Sequence, residues 1–376
     1  MRIFIIIIIL FAWFPSISQT FLTEFHGDEE YNETSLKVFE SNDTTVLLCV
    51  KVTEPTVYYN IYIDRFGNEK NRIYRDTSSF RVRSRFTIDN YIINTRPKQS
   101  EPHTLLFNVV DDYGGIVKYA EVDLSDYGIF NIEISSFVET DDRYVFSARV
   151  NDLTTSALVY LDHDFNIVKC MVTDDTFGDI PSLTRVEDGR VFGIMAFTGY
   201  EMEPCGNCKQ ARYYLTEFSE ELFFDTIKVV YEGEGARRYK VFCLSVDNNR
   251  IVVGHNEKII FNTSYGSASL KAFTLDGELD WAIDPLDLTY RQPPVILLRR
   301  TNEGNILLSC QSSVANDLGR ENNSNSLNSL ITPDGNILWT KKVERYRNDA
   351  GDALADLYAY DVIESEEYVT IAGVYI

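Results

Sequence analysis

This sequence predicts an all-β fold of repeated four-stranded antiparallel sheets, and three observations predict it. Two series of turn-forming residues alternate along the chain. The segments between them are short, apolar and rich in β-branched residues, as strands are. No convincing helix-period segment interrupts them; Asp349 to Asp356 is the nearest candidate and is too short to change the class.

The first turn series is Asp64-Arg65-Phe66-Gly67-Asn68, Asp111 to Gly115, Asp162-His163-Asp164-Phe165-Asn166, Ser219-Glu220-Glu221, Asp276-Gly277-Glu278 and Asp334-Gly335-Asn336. The last residues of these turns are spaced by 47, 51, 55, 57 and 58 positions. The second series is Glu40 to Asp43, Asp89-Asn90, Thr140 to Asp142, Asp188-Gly189, Asp247 to Asn249, Asn302 to Gly304 and Ser365 to Glu367. Each period therefore holds four strands, A to D, and four short strands per ~40–50 residues is the blade of a β-propeller. Seven A strands, seven B strands and six each of C and D follow from the turn count. The expectation is a seven-bladed propeller over residues 35–376, with six blades complete and the last incomplete.

That last blade ends on Tyr368 to Ile376, an apolar B strand whose outer edge would be unpaired, and such an edge invites aggregation. Residues 19–34, with Thr20 to Phe25, offer one closing strand. A chain that is a fragment of a longer protein is the favoured expectation, since one N-terminal strand does not replace both C and D.

Residues 1–18 read as a secretory signal. Arg2 supplies the positive charge, Ile3 to Phe14 an apolar run of twelve, and Ser16-Ile17-Ser18 the small residues of a cleavage site before Gln19. Twelve residues fall short of the ~20 that span hydrocarbon. A secreted or cell-surface protein without a membrane span is expected. The net charge of −22 argues against nucleic acid, whose binding runs on Lys and Arg neutralising phosphate. It argues equally against anionic lipid, and fits an acidity that keeps the chain in solution.

The last two periods carry Leu275-Asp276-Gly277-Glu278-Leu279-Asp280-Trp281 and Thr332-Pro333-Asp334-Gly335-Asn336-Ile337-Leu338-Trp339. These resemble the D-G-x-L-x-W turn and strand of PQQ-like and related bacterial propeller repeats, which recur in exported proteins. The resemblance covers residues 210–376; Phe224 holds the same phase, while Lys169 and Lys118 hold it in the third and second blades. It implies that the aromatic ring packs between neighbouring blades. The enzymatic relatives, quinoprotein dehydrogenases, would add vicinal cysteines, a tryptophan floor and a calcium site. None of these is visible here, so no cofactor is expected.

Cys205-Gly206-Asn207-Cys208 is the sharpest local motif. It lacks the following helix that depresses a redox cysteine's pKa, and a second pair to complete a zinc site. A local disulfide between Cys205 and Cys208 is the expectation in an oxidising compartment. Cys49, Cys170, Cys243 and Cys310 lie singly on apolar strands and read as buried thiols. His163, within Asp162-His163-Asp164, sits where turn chemistry alone demands aspartate, so no metal site is expected. No G-x-S-x-G, H-E-x-x-H or phosphate loop occurs.

Loop length carries more than any motif. In a blade the A–B and C–D turns share one face, and the B–C and D–A connections share the other. The first set is tight. The second is long: Gly199 to Gln210, Asn256 to Ser267, Ser313 to Ser326, Tyr231 to Arg238, Pro285 to Pro293 and Glu344 to Leu354. Tyr231, Arg237, Arg238, Tyr290, Arg291, Arg345, Tyr346 and Arg347 stand on this face, and arginine and tyrosine are favoured at interfaces. The function expected is a non-enzymatic binding or scaffold module that engages a protein, glycan or surface ligand there. The alternative is an extracellular polysaccharide-directed enzyme with paired carboxylates on the same face.

Overall fold

A computed structural model describes residues 32–375 apart from 42–43, 53–55, 65–67, 79–83, 89–90, 112, 152–154, 174–178, 200–208, 220–224, 236–241, 248, 261–264, 284–295, 302, 316–320, 344–356 and 365–368. The expected signal peptide, and all but residues 32–34 of the expected N-terminal segment, lie outside the described residues. So does the nearest helix candidate.

Among the described residues there are twenty-six strands and one 3-10 turn, Ser125–Tyr127. Blade I is β1 (Asn32–Ser41), β2 (Thr44–Val52), β3 (Val57–Ile63) and β4 (Glu69–Thr77). Blade II is β5 (Ser84–Ile88), β6 (Tyr91–Lys98), β7 (Glu101–Asp111) and β8 (Ile116–Asp123). Blade III is β9 (Glu133–Glu139), β10 (Arg143–Val150), β11 (Thr155–Asp162) and β12 (Ile167–Val172). Blade IV is β13 (Asp179–Arg185), β14 (Val191–Gly199), β15 (Lys209–Phe218) and β16 (Asp225–Gly235). Blade V is β17 (Phe242–Asp247), β18 (Arg250–Ile260), β19 (Tyr265–Thr274) and β20 (Leu279–Ile283). Blade VI is β21 (Ile296–Arg300), β22 (Ile306–Ala315), β23 (Glu321–Ile331) and β24 (Ile337–Val343). Within every blade, consecutive strands pair antiparallel in chain order.

The remaining strands, β25 (Leu357–Glu364) and β26 (Val369–Tyr375), pair only with each other among the described residues. The expectation of seven blades is therefore corrected to six. The strand rhythm was sound, but a blade needs four strands, and the last pair is a two-stranded sheet lying against β1.

The core lies between the blades. In β18, Ile251 and Val253 pack with Phe192, Ile194 and Leu215 of blade IV, while Val252 packs with Ile306 and Leu308 of blade VI. Alternate side chains point to opposite faces of a strand, and a B or C strand here is buried on both. That is why these strands read as unbroken apolar runs. The junction of blades II and III is aromatic: Phe107, Phe137, Phe146 and Phe165 stack with ring centroids 5.1–6.4 Å apart. Each such ring contributes ~1.5–3 kcal/mol by burial.

The tight turns recur in detail. In the C–D turns beginning at Asp64, Asp111, Asp162, Thr274 and Thr332, the first residue's N–H donates to the fifth residue's carbonyl. The fifth N–H returns a bond to the first residue's side-chain oxygen at 2.7–3.1 Å. This explains Asp or Thr at the first position, as an acceptor placed to satisfy the turn's own backbone. In all six blades the ladder then slips by one residue within the first three C–D pairs. A bulge of this kind adds twist to the outer strand.

The fourth turn residue has positive φ, +83° at Gly335. A Cβ there would lie 2.8 Å from the Trp281 ring, whereas at Gly304, also at +83°, nothing lies within 4 Å. Gly335→Ala is accordingly expected to cost about 2–4 kcal/mol, and Gly304→Ala about 1–2 kcal/mol from backbone strain alone. Urea unfolding of the two variants beside the parent checks both the order and the gap.

Candidate functional site

The ring has two unlike faces. On the tight-turn face, each described junction is gripped from the blade before. Trp281 of β20 donates its indole N–H to the Pro333 carbonyl at 2.9 Å, with its ring over Gly335 of blade VI's C–D turn. Lys118 of β8 holds the same phase and does the same work with charge. Its Nζ is 2.7 Å from both the His163 carbonyl and Asp164 Oδ1, and 5.6 Å from the Phe165 ring centroid. The D-G-x-L-x-W aromatic thus packs between blades at Trp281, and the lysine that departs from the pattern at Lys118 keeps the position's job.

Ion pairs continue this grip. Arg250 reaches Asp247 of its own A–B turn at 2.7 Å, Asp280 at 3.3 Å and Asp334 of blade VI at 2.8 Å. Its guanidinium pKa is raised, first by the hydrogen bond with Asp334. Arg185 of blade IV pairs with Asp141 of blade III, and Arg143 pairs with Asp142. The Arg143 guanidinium holds the Asp142 carboxyl at about 2. Side chain and backbone of Asn166 likewise hold Asp162 low. Every described carboxylate whose ionisation is shifted moves downward, the others being Glu121, Asp123, Asp188 and Asp247. A general acid at neutral pH needs the opposite shift. The aspartates that mark the repeat are thus turn and junction residues. His163 is one of these as well: its ring lies edge-on to Tyr144 at 5.0 Å, with Nε2 3.5 Å from Glu139 Oε1. No group of three or more metal-ligating side chains occurs among the described residues.

The opposite face carries the B–C and D–A connections. Here the sequence reading is corrected in kind: much of what it took for loop is paired strand. The β18–β19 hairpin continues through His255↔Ser269, Asn256↔Ala268 and Glu257↔Ser267 to Ile260↔Tyr265. The β22–β23 hairpin continues through Gln311↔Ser326 and Ser313↔Ser324 to Ala315↔Glu321. In blade IV, β14–β15 reaches Gly199↔Gln210 and β15–β16 reaches Lys209↔Gly235. The B and C strands of blades IV to VI run to 9–11 residues, against 8 in blade III and 7–9 in blade I, while β7 of blade II alone among the earlier ones reaches 11. At ~3.3 Å per residue, the difference amounts to about 3–10 Å of strand. Asparagine is depleted in strands, and Gln311 to Ser313 and Glu321 to Ser326 show no apolar alternation. The stretches therefore carry no strand signal except their spacing.

Of the residues singled out on this face, Tyr231 lies in β16, paired with Tyr213 of β15, and not in a loop. Arg237, Arg238, Tyr290, Arg291, Arg345, Tyr346 and Arg347 lie outside the described residues, as do Cys205 and Cys208. The single cysteines Cys49 and Cys243 are buried, and Cys170 is half-buried. Burial pushes the Cys170 and Cys243 thiols up to about 12.

No known family profile matches the chain, and no curated protein matches it. Solved structures do. The chain is similar to the β-propeller domain of the Trilobed protease from Pyrococcus furiosus, whose structure is described as having an open velcro topology. That likeness has a TM-score of 0.50 at 9% identity, over 92% of this chain and 91% of that one. It is also similar to a quinoprotein alcohol dehydrogenase-like protein from Bacteroides thetaiotaomicron, with a TM-score of 0.40 at 11% identity, over 83% of this chain and 66% of that one. At such identities the first likeness shows the propeller fold and nothing finer.

Two outcomes are expected. Iodoacetamide at pH 8 should leave Cys170 and Cys243 unlabelled in the native protein and label both after unfolding, because the thiolate is the reacting form; peptide mass mapping reads this. Asp142, low in the folded state, stabilises it above the ordinary carboxylate range, and that contribution disappears as pH falls from about 4 to about 2. Asp142→Asn should flatten the melting temperature's decline over that window.

Proposed function

We propose that this chain is an exported, non-enzymatic binding or scaffold propeller that engages its ligand through the face built by the long hairpins of blades IV to VI. The observation that carries the reading is the extension of β14–β15, β18–β19 and β22–β23 past the interblade core as paired strands. All three of these successive blades carry hairpins of 9–11-residue strands, which gathers length on one face of the ring. Loops held by a rigid scaffold are where recognition concentrates. Tyr231 of β16, with Arg237, Arg238, Tyr290, Arg291, Arg345, Tyr346 and Arg347 of the D–A segments of the sequence, offers chemistry that suits an acidic or hydroxyl-rich ligand: a protein, glycan or cell-surface polymer. The amino-terminal signal supports export to where such ligands are found.

The rival reading is a polysaccharide-directed enzyme with two carboxylates on this face. It needs one acid held protonated near neutral pH and a second carboxylate beside it on this face; Asp142, Asp162, Asp188 and Asp247, held low, stand in turns of the opposite face and belong to neither role.

The test uses the chain from Gln19 on an array of immobilised glycans and on a panel of soluble polysaccharides. Arg345→Ala with Arg347→Ala should weaken capture by about tenfold or more, the scale of one or two interface arginines, with the melting temperature unchanged. Capture that is unaffected removes this face from consideration. Release of new reducing ends from a polysaccharide would replace the binding reading by the enzymatic one.

A further inference from the structure

Blade II has two unlike faces. Ile93, Phe107 and Val109 point to blade III and join the aromatic junction there. Their neighbours in sequence point to blade I, because successive side chains alternate across a strand. On that side Ile92 and Val110 pack with Leu48 and Tyr58. Asn94 and Asn108 stand two positions further along the same strands, directly opposite each other in the β6–β7 ladder. Neither is more than 1% exposed. An amide buried in the middle of an otherwise apolar strand needs hydrogen-bond partners, and the two asparagines differ in whether the chain supplies them.

Asn108 is bound by blade I. Its Nδ2 donates to Ser78 Oγ at 2.6 Å, and Ser78 is buried with its N–H on the Thr56 carbonyl at 2.8 Å. Asn60 of β3 reaches across the seam in the other direction, from the face of blade I that carries Tyr58. Its Nδ2 donates to the Tyr113 carbonyl at 3.1 Å, while its fully buried Oδ1 has no partner among the described residues. Asn94 is the sharper case. It is fully buried, and its Oδ1 and Nδ2 are both without a partner among the described residues. A donor and an acceptor left unpaired on one buried amide are costly. The partner required must donate to Oδ1 and accept from Nδ2, and water is the smallest molecule that does both. We propose that the seam between blades I and II is hydrated, with an internal water bound at the Asn94 amide and Asn60 Oδ1 as a second place on the seam that takes one. Blade II is then joined to blade III by stacked rings and to blade I by hydrogen bonds that include bound water.

A crystal structure of the chain from Gln19 at about 1.5 Å resolution tests this. A water about 2.7–3.2 Å from Asn94 Oδ1 or Nδ2 is expected, as well ordered as the side chains around it. In Asn94→Leu that water should be lost while the bond from Asn108 to Ser78 remains. A parent structure in which the Asn94 amide is met by another group of the chain, or by nothing, overturns the proposal without need of a variant, so a variant that fails to fold does not shelter it. A water that stays in place in Asn94→Leu also overturns it, because the amide is then not what binds it.

Discussion

Face-to-face burial between successive sheets is the constraint on which the rest of this structure depends. No blade has a core of its own. Val252 needs blade VI beneath it and Val253 needs blade IV above it, although the two are neighbours in sequence. A single sheet of this kind would expose both faces, so each blade's stability resides in the two junctions it shares. The ring then has to close on itself, and the two-stranded sheet beside β1 is the place where closure is thinnest.

The turns and bulges serve that constraint. Side-chain caps from Asp or Thr fix the shape of each C–D turn, and the bulge that follows turns the outer strand toward the next blade. The contact made there is chemically free. Trp281 makes it with a ring and one indole hydrogen bond, Lys118 with a charge on a carbonyl and a carboxylate. Phe165 occupies a positive-φ turn position usually left to glycine, and its ring completes the aromatic junction of blades II and III. Geometry is repeated around the ring while chemistry drifts, which is how one architecture survives without a recognisable family sequence.

Division of labour between the faces follows. Short side-chain-capped turns occupy one face, where aspartates are held ionised by the guanidiniums and amides they bind. The other face is built by the hairpins of blades IV to VI, whose polar stretches continue the backbone ladders of β18–β19 and β22–β23. Cys49 and Cys243, buried in blade faces, belong to the packing.

The sequence by itself determined the all-β class, the positions of the turns and the number of strands, because turn residues and apolar runs report local backbone demands that no distant contact overrides. Thr332 to Asn336 and Asp162 to Asn166 were legible for that reason. Of the candidate face, the sequence showed where length accumulates but not that Gln311 and Ser324 lie in one continued hairpin, since pairing between polar residues leaves no periodic mark. Only the tertiary structure decided the number of blades, which depends on which strands share hydrogen bonds and not on how many there are. It also decided the worth of Lys118, whose likeness to Trp281 exists only across the gap to the next blade.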